Sequence, residues 1–134
     1  MKKLLSISYS EWSFNLALFV LRVGVGILLL MHGYNKIEHF DTMKNTFLNF
    51  LGMGSTTSLI LSIFAELFCS IFIILGLFTR LAAIPIIIDL TVALWKIHHF
   101  NFFGDGEKAS LYLLAFIAIL LVGPGKASVD GMRS

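Results

Sequence analysis

Three ionisable residues, Arg22, Glu66 and Asp89, stand inside stretches that are otherwise apolar. An ionised side chain at the centre of a membrane helix costs roughly 2.5 to 3.5 kcal/mol on insertion scales, so such charges are expected to face one another rather than lipid. Arg22 and Asp89 fall near the middle of their stretches and Glu66 about a turn off centre, which puts all three near one plane. One arginine does not neutralise two carboxylates, and a guanidinium keeps its proton. Either Lys96 reaches in, or one carboxyl holds a proton at neutral pH, because burial beside a like charge disfavours a second negative charge. A buried, protonatable carboxyl can pass protons or hold a polar ligand. The alternative is structural: Arg22 staples the helices through Glu66 and Asp89.

A second polar group is expected one interface away. His32, Asn35 and Lys36 recur at i, i+3 and i+4, while His98 and His99 end a later apolar stretch on the same membrane side. Interfacial histidines can bind metal, carry protons or hydrogen-bond a quinone carbonyl, although a lone histidine is more often a satisfied interfacial residue. No further Cys, Asp or Glu stands beside them at metal-ligand spacing, so no metal is expected. The candidate ligand-binding residues are His32, Lys36 and His98.

The elements that position these groups follow from composition and hydropathy. Of 134 residues, 57% are hydrophobic and 13% charged, against roughly a quarter charged in an ordinary soluble domain. That balance indicates a membrane protein and excludes disorder. A net charge of +2 without a basic run leaves no electrostatic footprint for nucleic acid. The lone Cys69 forms no intrachain disulfide and no Cys-x-x-Cys site.

A hydrocarbon core of about 30 Å needs some 20 apolar residues per helix. Four spans are predicted over 14–33, 59–78, 81–100 and 109–123, the last being short. Lys2 and Lys3 before the first span resemble a secretory signal, but the stretch is too long, Arg22 interrupts it and no small-x-small cleavage site follows. Between the first two spans, Phe40, Met43, Phe47, Phe50 and Leu51 recur at helical spacing and predict an amphipathic helix, either in the membrane interface or packed on the protein. Gly52 and Gly54 would end it, and Ser55, Thr56 or Thr57 would cap the next helix.

The short connection Phe78-Thr79-Arg80-Leu81 makes spans two and three an antiparallel hairpin. Gly123-Pro124-Gly125 stops the fourth helix. The expected fold is therefore all-α: a single-domain integral membrane four-helix bundle over 1–134, with an interfacial amphipathic helix between helices 1 and 2. Four spans put both termini on one side. Lys2, Lys3, Arg80, Lys126 and Arg133 there, against Lys36, Lys44 and Lys108 with Lys96 close by, point to cytoplasmic termini.

Helical offsets predict the inward faces. Arg22, Gly26, Leu29 and Gly33 form a seam with small residues for close approach. Ser62, Glu66, Cys69, Ser70 and Ile73 share a stripe on the second helix; Asp89, Ala93, Lys96 and His99 or Phe100 share one on the third.

The pieces Leu21-Arg22-x-x-x-Gly26, His32-Gly33-x-x-Lys36, Glu66, Leu75-Gly76-Leu77-x-Thr79-Arg80-Leu81-Ala82-Ala83, His98, Glu107 and Gly123-Pro124-Gly125-Lys126-x-Ser128-x-Asp130 together resemble the DoxX family of small four-helix bacterial membrane proteins, over nearly the whole chain. The resemblance implies a multi-pass protein of the bacterial cytoplasmic (inner) membrane. Its members are associated with the membrane subunit of an archaeal thiosulfate:quinone oxidoreductase and with membrane-bound oxidative-stress complexes. It also implies that Arg22, Gly26, His32, Gly33, Lys36, Glu66, Arg80, His98, Glu107, Gly123, Pro124, Gly125 and Asp130 are family motif positions. Asp89 departs from the pattern, where an uncharged residue is expected. The additional domain of fused relatives is lacking, so thiosulfate as substrate does not carry over.

Three functions compete. In the first, the chain is a membrane subunit of a quinone-linked redox or oxidative-stress complex. His32, Lys36 or His98 would hold the quinone head, and Glu66 with Arg22 would conduct protons. No residue carries electrons alone, so a soluble redox partner with a flavin, haem or iron-sulfur centre is required, and the isolated chain is not labelled an enzyme. The second is a non-enzymatic scaffold or assembly factor. The third is a small proton-linked transporter, which would need a homo-oligomer to build an alternating-access path.

Overall fold

A computed structural model describes residues 5–47, 52–97, 99, 101, 103, 104 and 106–133. Helix α1 (Glu11–Glu38) begins where the Ser10 hydroxyl accepts the Ser13 N–H at 3.1 Å, the usual serine cap. A short turn of helix, α2 (Phe40–Met43), follows. Next comes α3 (Ser55–Leu75), whose middle, Phe64–Phe68, widens into a π turn. Helix α4 (Thr79–Val92) also continues into a π turn, Ala93–Ile97. Helix α5 (Glu107–Val122) and the short α6 (Val129–Arg133) complete the chain. No strand occurs among the described residues.

The 28 residues of α1 and the 21 of α3 rise about 42 Å and about 32 Å. Both are long and apolar enough to cross a membrane. Helix α5, with 16 residues, rises about 24 Å, in keeping with the short fourth span. Helices α1, α3, α4 and α5 pack together around Leu29, Ile73, Ile86, Phe116 and Ile119. Large apolar residues such as Phe19, Leu28, Phe68, Leu81, Leu111 and Leu121 point outward, while Arg22, Ser62, Glu66, Ser70 and Thr79 are buried. Polar groups inside and apolar groups outside suit a chain solvated by lipid.

Two glycines set the α1–α3 register. A Cβ on Gly26 would lie 2.7 Å from Ile74 Cγ1, and one on Gly33 would lie 2.9 Å from the Leu67 nitrogen and 3.0 Å from the Glu66 carbonyl carbon. Gly33 is thus level with Glu66. Arg22 lies eleven residues earlier in the same helix, about 16 Å along its axis. Its guanidinium is level with Gly76, whose added Cβ would sit 3.2 Å from Arg22 Cζ. The expected cluster of Arg22 with Glu66 and Asp89 therefore does not form: centring each apolar stretch on the bilayer misplaces α1 against α3.

Arg22 serves the opposite end of the molecule. Only 2% exposed, it donates to the carbonyls of Pro124 at 2.6 Å and Ala127 at 2.9 Å, and its guanidinium carbon sits 5.6 Å from the Phe19 ring centre. The segment that receives it folds back as a clasp. Asp130 accepts the N–H groups of Phe78 at 2.9 Å and Thr79 at 3.0 Å, and donates its own N–H to the Gly76 carbonyl at 2.8 Å. A carboxylate at the N-terminus of α4 satisfies donors the helix cannot use and complements its dipole. Asn15 accepts the Lys126 N–H at 2.8 Å, the Lys126 ammonium pairs with Glu11, and Arg80 donates to the Leu121 carbonyl at 3.3 Å.

The hairpin between α3 and α4 forms, with its turn at Gly76–Phe78 rather than Phe78–Leu81 because Gly76 takes the left-handed C-cap, and α5 stops at Gly123. The amphipathic helix expected from Phe40 to Leu51 is shorter. Among the described residues of this segment only Phe40–Met43 is helical and Lys44–Thr46 form turns; 48–51 lie outside the described residues. Gly54, rather than a hydroxyl, occupies the N-cap of α3. Ser55 and Thr56 instead donate to the Lys44 carbonyl at 2.6 Å and 3.2 Å, tying the loop to the helix.

Candidate functional site

The last turns of α1 bring Lys36 against α3, where Ser62 and Glu66 share one face at i and i+4. The Lys36 ammonium donates to Ser62 Oγ at 2.7 Å and forms a short ion pair with Glu66 Oε2; Ser62 Oγ also donates to that oxygen at 3.0 Å. The side chains of Lys36 and Glu66 are 20% and 7% exposed, so the pair is largely removed from solvent. Glu66 sits in the π turn, a widened turn that recurs at functional sites. Gly33 has no side chain at this level, which lets the α1 backbone come close to the turn.

The tight hairpin supplies the second carboxyl. Glu66 lies nine residues before the end of α3 and Asp89 ten after the start of α4, about 14 Å and 15 Å from the turn. Equal depth brings the Asp89 carboxyl to the same cavity lining as Glu66 and Ser62. If both carboxyls ionised, one Lys36 would match only one of the two negative charges, and burial beside a like charge favours one retained proton. Asp89 Oδ2 is buried without a hydrogen-bond partner. Lys96 is exposed and lies over the Trp95 ring, 3.9 Å from its centre, so it does not supply the second positive charge.

Lys36, Ser62, Glu66 and Asp89 line a cavity of about 300 Å³ between α3, α4 and the loop after α1. Phe47, Leu61, Phe64, Pro85, Ile88 and Val92 form its apolar walls. Its volume is at the small end of the roughly 300 to 1,000 Å³ common for ligand sites, and a few polar groups at one end of an apolar chamber is their usual design. Phe47 also stacks near the Lys36 ammonium, at 5.6 Å.

Sequence-predicted residues thus divide. Lys36, Glu66 and Asp89 come together; Arg22 does not join them. His32 faces α5 instead of the cavity, its ring edge-on to Tyr112 with centroids 5.6 Å apart. His98 lies outside the described residues. Glu107 is exposed in the first turn of α5. No group of three or more His, Cys, Asp and Glu side chains able to hold a metal occurs among the described residues. The Lys36–Glu66 pairing and the roles of Phe47 and Pro85 were not foreseen; the coincidence of Lys36 and Glu66 was readable only from the helix register.

An all-helical chain with an apolar exterior and a polar site buried between helices is a membrane protein. The DoxX family model matches residues 17–99, and the chain belongs to that family. It is 29% identical to an uncharacterized membrane protein of Mycobacterium tuberculosis, over 82% of this chain and 77% of the relative. It is 27% identical to the inner membrane protein YphA of Escherichia coli, over 84% and 87%. An uncharacterized protein of Haemophilus influenzae is 29% identical over 82% and 85%. No solved structure matches the chain.

The motif positions named from the resemblance separate by depth. Arg22, Arg80, Gly123, Pro124, Gly125 and Asp130 build or adjoin the clasp, whereas Gly33, Lys36 and Glu66 belong to the cavity end. Gly26 is the close-packing point between them.

Proposed function

We propose that the chain is a multi-pass protein of the bacterial cytoplasmic membrane, with α1, α3, α4 and α5 as a four-helix bundle, and that its cavity takes the head group of a membrane quinone on behalf of a redox complex. The observation that carries this reading is the polar end of the cavity, where Lys36, Ser62, Glu66 and Asp89 meet apolar walls. An ammonium has three N–H donors. Ser62 and Glu66 take two, which leaves one for a ligand carbonyl.

Charge narrows the ligand class further. Lys36 with two carboxyls and one retained proton is neutral overall, so an anionic head group gains no net attraction. A neutral head with hydrogen-bond acceptors fits, and a quinone has two carbonyl oxygens on a flat apolar ring. Reduction to the quinol takes two electrons and two protons. The Glu66–Asp89 pair delivers one proton and the Lys36 ammonium the second, and both are reprotonated from water at the membrane surface. The electrons come from a soluble partner carrying a flavin, haem or iron-sulfur centre.

Purified protein in nanodiscs is expected to bind decylubiquinone saturably and to yield quinone on organic extraction. The K36M/E66Q variant, which removes the cation and its partner carboxylate together, is expected to bind at least about tenfold more weakly, since a hydrogen bond from a charged donor contributes about 1.5 to 3 kcal/mol. Wild-type protein that neither binds decylubiquinone nor carries quinone would overturn the reading and favour a scaffold.

A further inference from the structure

Pro85 borders a second opening besides the polar cavity. A second, wholly apolar groove of about 210 Å³ runs between α3 and α4, lined by Phe64, Cys69, Phe72, Phe78, Leu81, Ala82 and Pro85. It shares Phe64 and Pro85 with the polar cavity, so the two adjoin at these side chains. Leu81, Pro85 and Asp89 follow at intervals of four residues, a ladder along one face of α4. From Asp89 to Leu81 that ladder covers about 12 Å. Phe64, Phe72 and Leu81 are substantially exposed along it, which opens the groove sideways to the surrounding lipid.

We infer that this groove is the seat of the ligand's hydrocarbon tail: the cavity ligand is a tailed lipid-soluble molecule that arrives laterally between α3 and α4, with its head at Lys36, Glu66 and Asp89 and its tail directed past Pro85 toward the hairpin turn. This rests on the head-group reading above and adds the tail and its direction. Adjacency to the polar cavity, through the shared Phe64 and Pro85, is what assigns the occupant. A groove serving only bulk acyl chains would have no reason to end at a lysine and two carboxyls. The head then lies toward the membrane side opposite the chain termini, because Lys36 is at the far end of α1 from Glu11 and the hairpin turn is beside the C-terminal clasp.

The test compares two probes with the same ring, 2,3-dimethoxy-5,6-dimethylbenzoquinone and decylubiquinone, which has a ten-carbon chain in place of one methyl group. Each is titrated against wild-type protein and the F72A/L81A variant in nanodiscs of one lipid composition. Partition of each probe into the bilayer is the same for both proteins and cancels in the wild-type-to-variant ratio. The expected result is that the variant binds decylubiquinone about tenfold more weakly, in line with several lost apolar contacts, while affinity for the tail-less probe is unchanged, which also shows that the variant is folded. Equal effects on both probes, or none on either, would overturn the tail groove while leaving the head site standing. Binding of neither probe to wild type would overturn both.

Discussion

Lys36→Met is expected to lower stability by about 3 kcal/mol, and adding Glu66→Gln is expected to recover most of that loss. The reason is an asymmetry of buried ion pairs. Removing one partner leaves an uncompensated charge and costs about 3 to 5 kcal/mol, whereas removing both can be nearly neutral. Glu66 is almost completely enclosed, and with lysine gone it keeps the Ser62 hydroxyl as a donor beside another carboxyl, Asp89. The lower end of the range applies because the Lys36 side chain keeps 20% exposure. Thermal unfolding in detergent of wild type, both single variants and the double variant gives the coupling directly. Strictly additive losses would mean that the two side chains do not depend on each other.

The second large effect belongs to the other end of the molecule. Gly76→Ala is expected to be among the most damaging single-methyl changes in the chain. Gly76 has a φ of +71°, and its new Cβ would fall 2.3 Å from Ser128 Cβ and 3.1 Å from Ser128 Cα. The left-handed backbone alone costs a non-glycine residue about 1 to 2 kcal/mol. Displacing Ser128 would also disturb the neighbouring Arg22 and Asp130 contacts that hold the clasp. Gly24→Ala is the matched control: it lies in α1 with nothing within 4 Å of the added carbon, and there alanine should stabilise by roughly 0.5 to 1 kcal/mol. Melting temperatures that fall for Gly76→Ala and hold or rise for Gly24→Ala would bear out the clasp. Equal behaviour would refute it.

Much of this organisation was legible in the sequence. Apolar length located α1 and α3, the connection around Phe78 fixed the α3–α4 hairpin, and Gly123-Pro124-Gly125 marked the end of α5. Span-centre positions put Glu66 and Asp89 near one plane, and the tight turn explains why their depths match. What escaped was the sliding register of α1. Its 28 residues exceed the hydrocarbon thickness, so hydropathy alone does not say which part faces the middle of α3. The register is set by backbone approach at Gly26 and Gly33. That shift moves Arg22 to the clasp and brings Lys36 to Glu66. The clasp was hidden for another reason: Asp130 and Thr79 are fifty-one residues apart, and their hydrogen bonds leave no periodic signal.

Glu66 and Asp89 are proposed to share one retained proton beside Lys36, and infrared spectroscopy of the protein in lipid tests this most directly. At neutral pH the wild type is expected to show a protonated-carboxyl C=O band that shifts in deuterated water and disappears in both Asp89→Asn and Glu66→Gln, because either change leaves one carboxylate matched to the lysine. A wild-type spectrum without that band, or a band untouched by both substitutions, would contradict the shared proton and with it the proposed chemistry of the cavity.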